Sequence, residues 1–190
     1  MRIFAAVLAS IVAGACTQSS MSPAQPASVS VPVRLQSEPR AGGQQAAGAP
    51  RTASEHNLGT HLTGNEEVPV RDTGAQGQAI FRINEDGSAI SYKINVANIE
   101  NVTQSHIHLA AAGFNGGIVA WLYPSAPPSQ LIPGRSQGSL GEGEITAASL
   151  VGALAGKPLS DLITAMQNGG AYVNVHTLQF PPGEIRGQID

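Results

Sequence analysis

The chain has 190 residues, a formal net charge of −3 and 12% charged residues, about half the ~25% typical of soluble domains. Its 22 glycines and 13 prolines disfavour coiled coils and helical bundles and favour short strands joined by many turns. The single cysteine excludes a disulfide framework, and the mildly acidic charge gives no reason to expect nucleic acid as a partner.

The first 15 residues have the features of an export signal peptide. Met1 and Arg2 precede an apolar run over residues 3–15, which is too short to span a bilayer permanently. The small residues before Cys16 are similar to the lipobox of bacterial lipoproteins, which implies cleavage there and a lipid anchor on Cys16. The alternative is an ordinary secretory signal with an incidental cysteine. Both interpretations predict an exported protein of the bacterial cell envelope, and the first anchors it in a membrane, facing the periplasm or the exterior.

Residues 16–55 are predicted to be a disordered tether that carries the lipidated N-terminus. They are rich in Ser, Pro, Gln, Ala and Gly and show no sustained hydrophobic period. Such a segment buries too little apolar surface to offset its ordering entropy. A folded domain is therefore predicted over residues 56–190.

Alternation of apolar and polar residues predicts strands throughout this domain. A helix is predicted over 158–166, where Leu159, Leu162, Ile163 and Met166 share one face, with a shorter turn of helix over 147–154. We expect an all-β fold of about eight strands, an antiparallel, Greek-key-like sandwich or barrel with one or two short helices. The predicted strands include 78–83, 90–96, 103–110, 118–123, 138–145, 171–177 and 184–189.

Three histidines are the candidate metal ligands of the domain. His106 and His108 are two residues apart on a predicted strand, so their side chains point the same way, away from the apolar Ile107. His176 occupies the same kind of position on a later strand, where Val173 and Val175 face the core and His176 faces the other way. Three imidazoles suit copper or zinc. We expect the imidazoles to face outward, because the apolar residues of these strands take the core face. The alternative is that these histidines only bond with loop carbonyls and cover the sheet.

Polar residues on the last two strands are candidate supports for this site. Glu184 or Asn174 is predicted to orient a ligand ring through its other nitrogen, and Arg186 lies on a polar face of the last strand. A plain alternative makes Glu184 and Arg186 a surface ion pair.

Four other residues at or near the start of the domain have simpler interpretations. Glu66 and Glu67 precede a Val-Pro pair and are expected either to serve a turn or to hold Arg186. His56 and His61 lie at the entry of the domain, and we expect both to be exposed to solvent.

Five short motifs in order resemble the chordin-type domain family, CHRD. The resemblance spans about residues 57–190, with valine at position 70 where the family usually has a second proline. It implies a β-sandwich, often found in exported bacterial proteins, and it leaves the biochemical role open. The motifs occupy residues 62–69, 105–108, 115–117, 172–177 and 183–188.

A second resemblance, to the copper side of the copper-zinc superoxide dismutases, bears on chemistry. It implies that His106, His108 and His176 are copper ligands and that Arg186 steers an anion. The chain departs from that pattern, because no fourth histidine lies between residues 109 and 175 and no zinc loop follows. Three functions stay open: a tethered, non-enzymatic binding domain, a dismutase-like copper oxidoreductase, and a structural or adhesive module.

Overall fold

The computed structural model of the chain describes residues 57–190, all of them within one compact unit. The predicted signal peptide, the lipidation site Cys16, the tether over 16–55 and His56 lie outside the described residues. No helix over 57–190 is long and apolar enough to cross a membrane.

Seven strands and one α-helix make up the described domain. Helix α1 (Leu159–Gln167) and two 3-10 turns, Ala147–Ser149 and Gly152–Leu154, lie between the last strands, where the sequence predicts helix. A third 3-10 turn, Gly64–Glu66, follows the first strand. The strands are β1 (Asn57–Thr63), β2 (Gln76–Ile83), β3 (Ile90–Leu109), β4 (Gly117–Tyr123), β5 (Ile132–Ile145), β6 (Ala171–Thr177) and β7 (Ile185–Gln188).

The strands form one antiparallel, barrel-like sheet. The hydrogen-bonded order is β2-β1-β7-β6-β3-β4, and a further pairing between β2 and β3 closes the first five of these into a ring. Strand β5 pairs with β3 outside this ring. The predicted all-β, antiparallel sandwich or barrel is therefore confirmed.

Strand β3 organises the sheet because it is 20 residues long. The separately predicted strands 90–96 and 103–110 are its two halves. Asn98 and Asn101 adopt positive φ angles of 55° and 53° between them, a conformation that asparagine tolerates better than most residues. The first half pairs with β2 and β5, and the second half pairs with β6 and β4.

The hydrophobic core follows the predicted alternation. In β2 the buried residues include Ala79, Phe81 and Ile83, while the residues between them are exposed. Helix α1 buries Leu162 and Met166 on the face that the sequence predicts. Because these positions fix which side of each strand faces the core, they also fix which side carries the polar residues.

Candidate metal centre

The sheet register brings the three histidines together. His106 and His108 lie on one side of β3, and Ile107 between them is fully buried in the core. On the neighbouring β6, Asn174 lies opposite His106, and His176 is one diagonal step along. One ligand atom from each of the three histidines lies within 4.8 Å of the other two, so the cluster can hold a metal ion.

The three imidazoles are buried, which corrects the expectation that they face outward. The exposed fractions are 0% for His106, 7% for His108 and 6% for His176. The loops after β1, β3 and β6 cover this side of the sheet. Asn115 Nδ2 ties two of them together by donating to Val68 O at 2.7 Å.

Backbone carbonyls fix the orientation of two rings. His108 Nδ1 lies 2.9 Å from Gly116 O, and His176 Nδ1 lies 2.7 Å from Pro181 O. A carbonyl only accepts, so each Nδ1 carries the hydrogen and each Nε2 presents its lone pair. Bonding to loop carbonyls was the alternative to metal binding. The structure shows one such bond on each of these two rings, at Nδ1, and the bond leaves Nε2 of each ring without a hydrogen.

The His106 ring faces the His176 ring at hydrogen-bond distance. His106 Nδ1 lies 3.2 Å from His176 Nε2. Two nitrogens bound to one metal at about 2.0–2.1 Å are separated by roughly 3.3–3.5 Å, so this spacing is close to that of a metal site. The Nε2 atoms of His106 and His108 are buried and have no hydrogen-bond partner.

Burial keeps the three rings neutral. It lowers the pKa of His106 to about 3, with the charges of His176 and His108 adding to the effect. It lowers the pKa of His176 to about 4, against the opposing effect of the Pro181 carbonyl. Burial is also the largest cause that lowers the pKa of His108. Neutral imidazole is the form that binds metal ions, so the three rings have the protonation state of metal ligands at neutral pH.

A family model of the CHRD domain matches residues 58–189 of the chain, a range that includes the histidine cluster and nearly all of the described fold. The chain belongs to the CHRD domain family. This confirms the resemblance carried by the five sequence motifs. No curated protein and no solved structure gives a significant match to the chain.

Aromatic rings frame the histidines of this CHRD domain. The Trp121 ring lies edge-on to that of His106, with 4.3 Å between centroids, because the two residues are opposite each other on β4 and β3. Tyr172, opposite His108 on β6, stacks on that ring at 4.9 Å. Sequence reasoning missed Trp121, and only the pairing of β4 with β3 would have indicated it.

Arg186 lies deep in the CHRD domain, beyond Tyr172. It is 1% exposed, and its guanidinium lies 3.4 Å from the centre of the Tyr172 ring. It donates to Asn115 Oδ1 and Ala111 O, both at 3.3 Å. Since β3 and β7 flank β6 on opposite sides, Tyr172 separates this cation from His108.

Glu184 is held by hydroxyl groups. Its two carboxylate oxygens accept hydrogen bonds from Thr73 and Thr177, each at 2.7 Å. The alternative of a surface ion pair with Arg186 is wrong, because Glu184 is only 6% exposed and Arg186 is more deeply buried.

The remaining predicted residues fall into two groups. Asn174 is 2% exposed and leaves its Oδ1 without a partner, while its Nδ2 lies 3.4 Å from Pro182 O. Glu67 is buried, which raises its pKa, while the charges of Arg186 and Arg71 oppose this shift. At the surface, Glu66 ends the 3-10 turn after β1, and His61 is exposed as predicted.

Proposed function

We propose that this CHRD domain is a non-enzymatic module that binds one copper or zinc ion through His106, His108 and His176. The observation that carries the proposal is the convergence of three buried, neutral imidazoles in which two ring nitrogens have no partner. Leaving a buried polar atom unpaired costs about 1–3 kcal/mol. A metal bound to His108 Nε2 would remove this cost at that atom, whereas a role limited to hydrogen bonding leaves it in place.

The ring orientations indicate which atoms would coordinate the metal. His108 Nε2 and His176 Nε2 carry lone pairs because the opposite nitrogens donate to carbonyls; the first has no partner and the second faces His106 Nδ1. His106 would bind through Nδ1, the atom that faces His176 Nε2. The carbonyls of Gly116 and Pro181 would then hold two ligand rings in place, as outer partners do in metal proteins.

Burial of the cluster favours binding over turnover. Catalytic metal sites keep a coordination position open to substrate. Here each histidine is at most 7% exposed, beneath three loops. This supports a binding module ahead of a dismutase-like oxidoreductase.

We place this module in the bacterial cell envelope. The support is the apolar run over residues 3–15, the small residues before Cys16 and the tether composition of 16–55. A lipid on Cys16 would anchor the chain in a membrane, and the tether would hold the domain away from its surface.

The only tryptophan of the chain provides the test of metal binding. Trp121 contacts the ring of His106, so Cu(II) bound to the cluster should quench most of the tryptophan fluorescence at one equivalent. Zn(II) should compete with the quenching if it binds at the same place. His106→Ala, His108→Ala and His176→Ala should each abolish saturable quenching, and His61→Ala, at an exposed histidine, should not. Equal quenching in the three cluster variants would overturn the proposal.

A further inference from the structure

We infer that the histidine cluster selects Cu(I) over Zn(II). This inference rests on the proposed metal-binding function and specifies the ion. It follows from the charge, the number of ligands and the burial of the cluster.

The ligand set carries no negative charge. Among residues 57–190, the grouping of possible ligands at this place contains His106, His108 and His176 and no carboxylate. Glu184, just before β7, is engaged by two threonine hydroxyls, and the buried Glu67, which interacts with Arg186, lies outside this grouping. A divalent ion would therefore keep its full double charge in a buried place, and burying an ionic charge costs more as that charge rises.

The positive charge of Arg186 lies near one of the proposed ligands, His108. The guanidinium of Arg186 lies 3.4 Å from the centre of the Tyr172 ring, and that ring stacks on His108 at 4.9 Å. Over the summed separation of about 8 Å, one additional positive charge on the ion weakens binding by up to roughly 30-fold at an effective dielectric constant near 20.

The number of ligands also favours Cu(I). Zn(II) in proteins is almost always four-coordinate, with water as the fourth ligand when the protein supplies only three. The loops after β1, β3 and β6 close over the histidines, which are at most 7% exposed. Cu(I) is satisfied by three ligands in a trigonal arrangement, so it needs no water in this buried place.

The experiment compares affinities on one metal-free preparation of the full chain. Under anaerobic conditions, Cu(I) is titrated against bicinchoninate, and Zn(II) is titrated against a zinc indicator dye. We expect the dissociation constant of Cu(I) to lie below that of Zn(II), by up to roughly 30-fold from the charge of Arg186 alone. If His106→Ala leaves the binding of both ions unchanged, the proposed site itself is wrong. Tighter binding of Zn(II), lost in His106→Ala, would overturn the selectivity and leave the site intact.

Two charge variants test the cause of the selectivity. Arg186→Gln should reduce the ratio of the two affinities by up to roughly 30-fold, because it removes the neighbouring cation. Asn174→Asp adds a negative charge opposite His106 and should reduce the ratio, with circular dichroism checking that the fold survives the loss of the amide donor to Pro182 O. Lys93→Gln removes a partly exposed cation that pairs with Glu142, and it should leave the ratio unchanged. An unchanged ratio in Asn174→Asp would contradict the electrostatic argument.

Discussion

Replacing His106 with glutamine should flatten the acid dependence of the stability of the metal-free protein. His106 is fully buried, and burial lowers its pKa from 6.5 to about 3. Because the folded pKa lies below the unfolded one, the unfolded chain binds more protons at every pH between the two values. The free energy of unfolding therefore falls as the pH drops below about 6.5, and this loss ends near the folded pKa.

The size of the effect follows from these two pKa values. Between about pH 7 and pH 5, one histidine held neutral in the fold lowers the free energy of unfolding by roughly 2 kcal/mol. His176, with a pKa of about 4, contributes a similar loss in the wild type. Glu67 acts with the opposite sign, because its raised pKa stabilises the fold as the carboxyl becomes protonated. Its contribution is common to wild type and variant, so it cancels in the comparison.

Urea denaturation with a chelator present measures this effect. From about pH 7 to pH 5, the free energy of unfolding of His106→Gln should fall by roughly 2 kcal/mol less than that of the wild type. His61→Gln, at an exposed histidine, should follow the wild type. The comparison uses the slope, so a uniform destabilisation of the variant does not affect it. Parallel slopes for wild type and His106→Gln would refute the burial argument.

Four further substitutions test backbone conformation, core packing and lipidation. Gly183→Ala should destabilise the fold by about 1–3 kcal/mol in urea, since φ is +133° and the new Cβ would overlap the carboxylate of Glu67. Gly113→Ala, at φ +80° with open space around it, should lower the free energy of unfolding by less than Gly183→Ala does. Leu162→Ala, at a fully buried helix position, should cost about 2–5 kcal/mol in the same assay. Cys16→Ala should leave an uncleaved or soluble exported form, and an immunoblot showing normal processing and membrane association would contradict lipidation.

The sequence predicts the parts of this site that depend on local periodicity. His106 and His108 share a face because strand side chains alternate, and Ile107 marks the opposite, core face. That His176 lies beside them depends on the pairing of β6 with β3, which joins segments about 70 residues apart. Nothing local in the sequence specifies that pairing.

Burial of the histidines is the part that periodicity could not predict. Alternation separates a core face from a polar face, but it does not show whether loops cover the polar face. Here Asn115 and Arg71 donate to carbonyls on other loops and hold the cover in place. The same limit explains why Glu184 and Arg186 allowed a surface ion pair in the sequence but lie inside the domain.

A crystal structure of the copper-loaded protein, with the metal located by anomalous scattering, would show whether the three histidines hold the ion. The account predicts one ion at about 2.0–2.1 Å from His106 Nδ1, His108 Nε2 and His176 Nε2, with Gly116 O and Pro181 O still bonded to the ligand rings. A copper ion bound at the exposed His61, with no anomalous density between the three buried histidines, would contradict it.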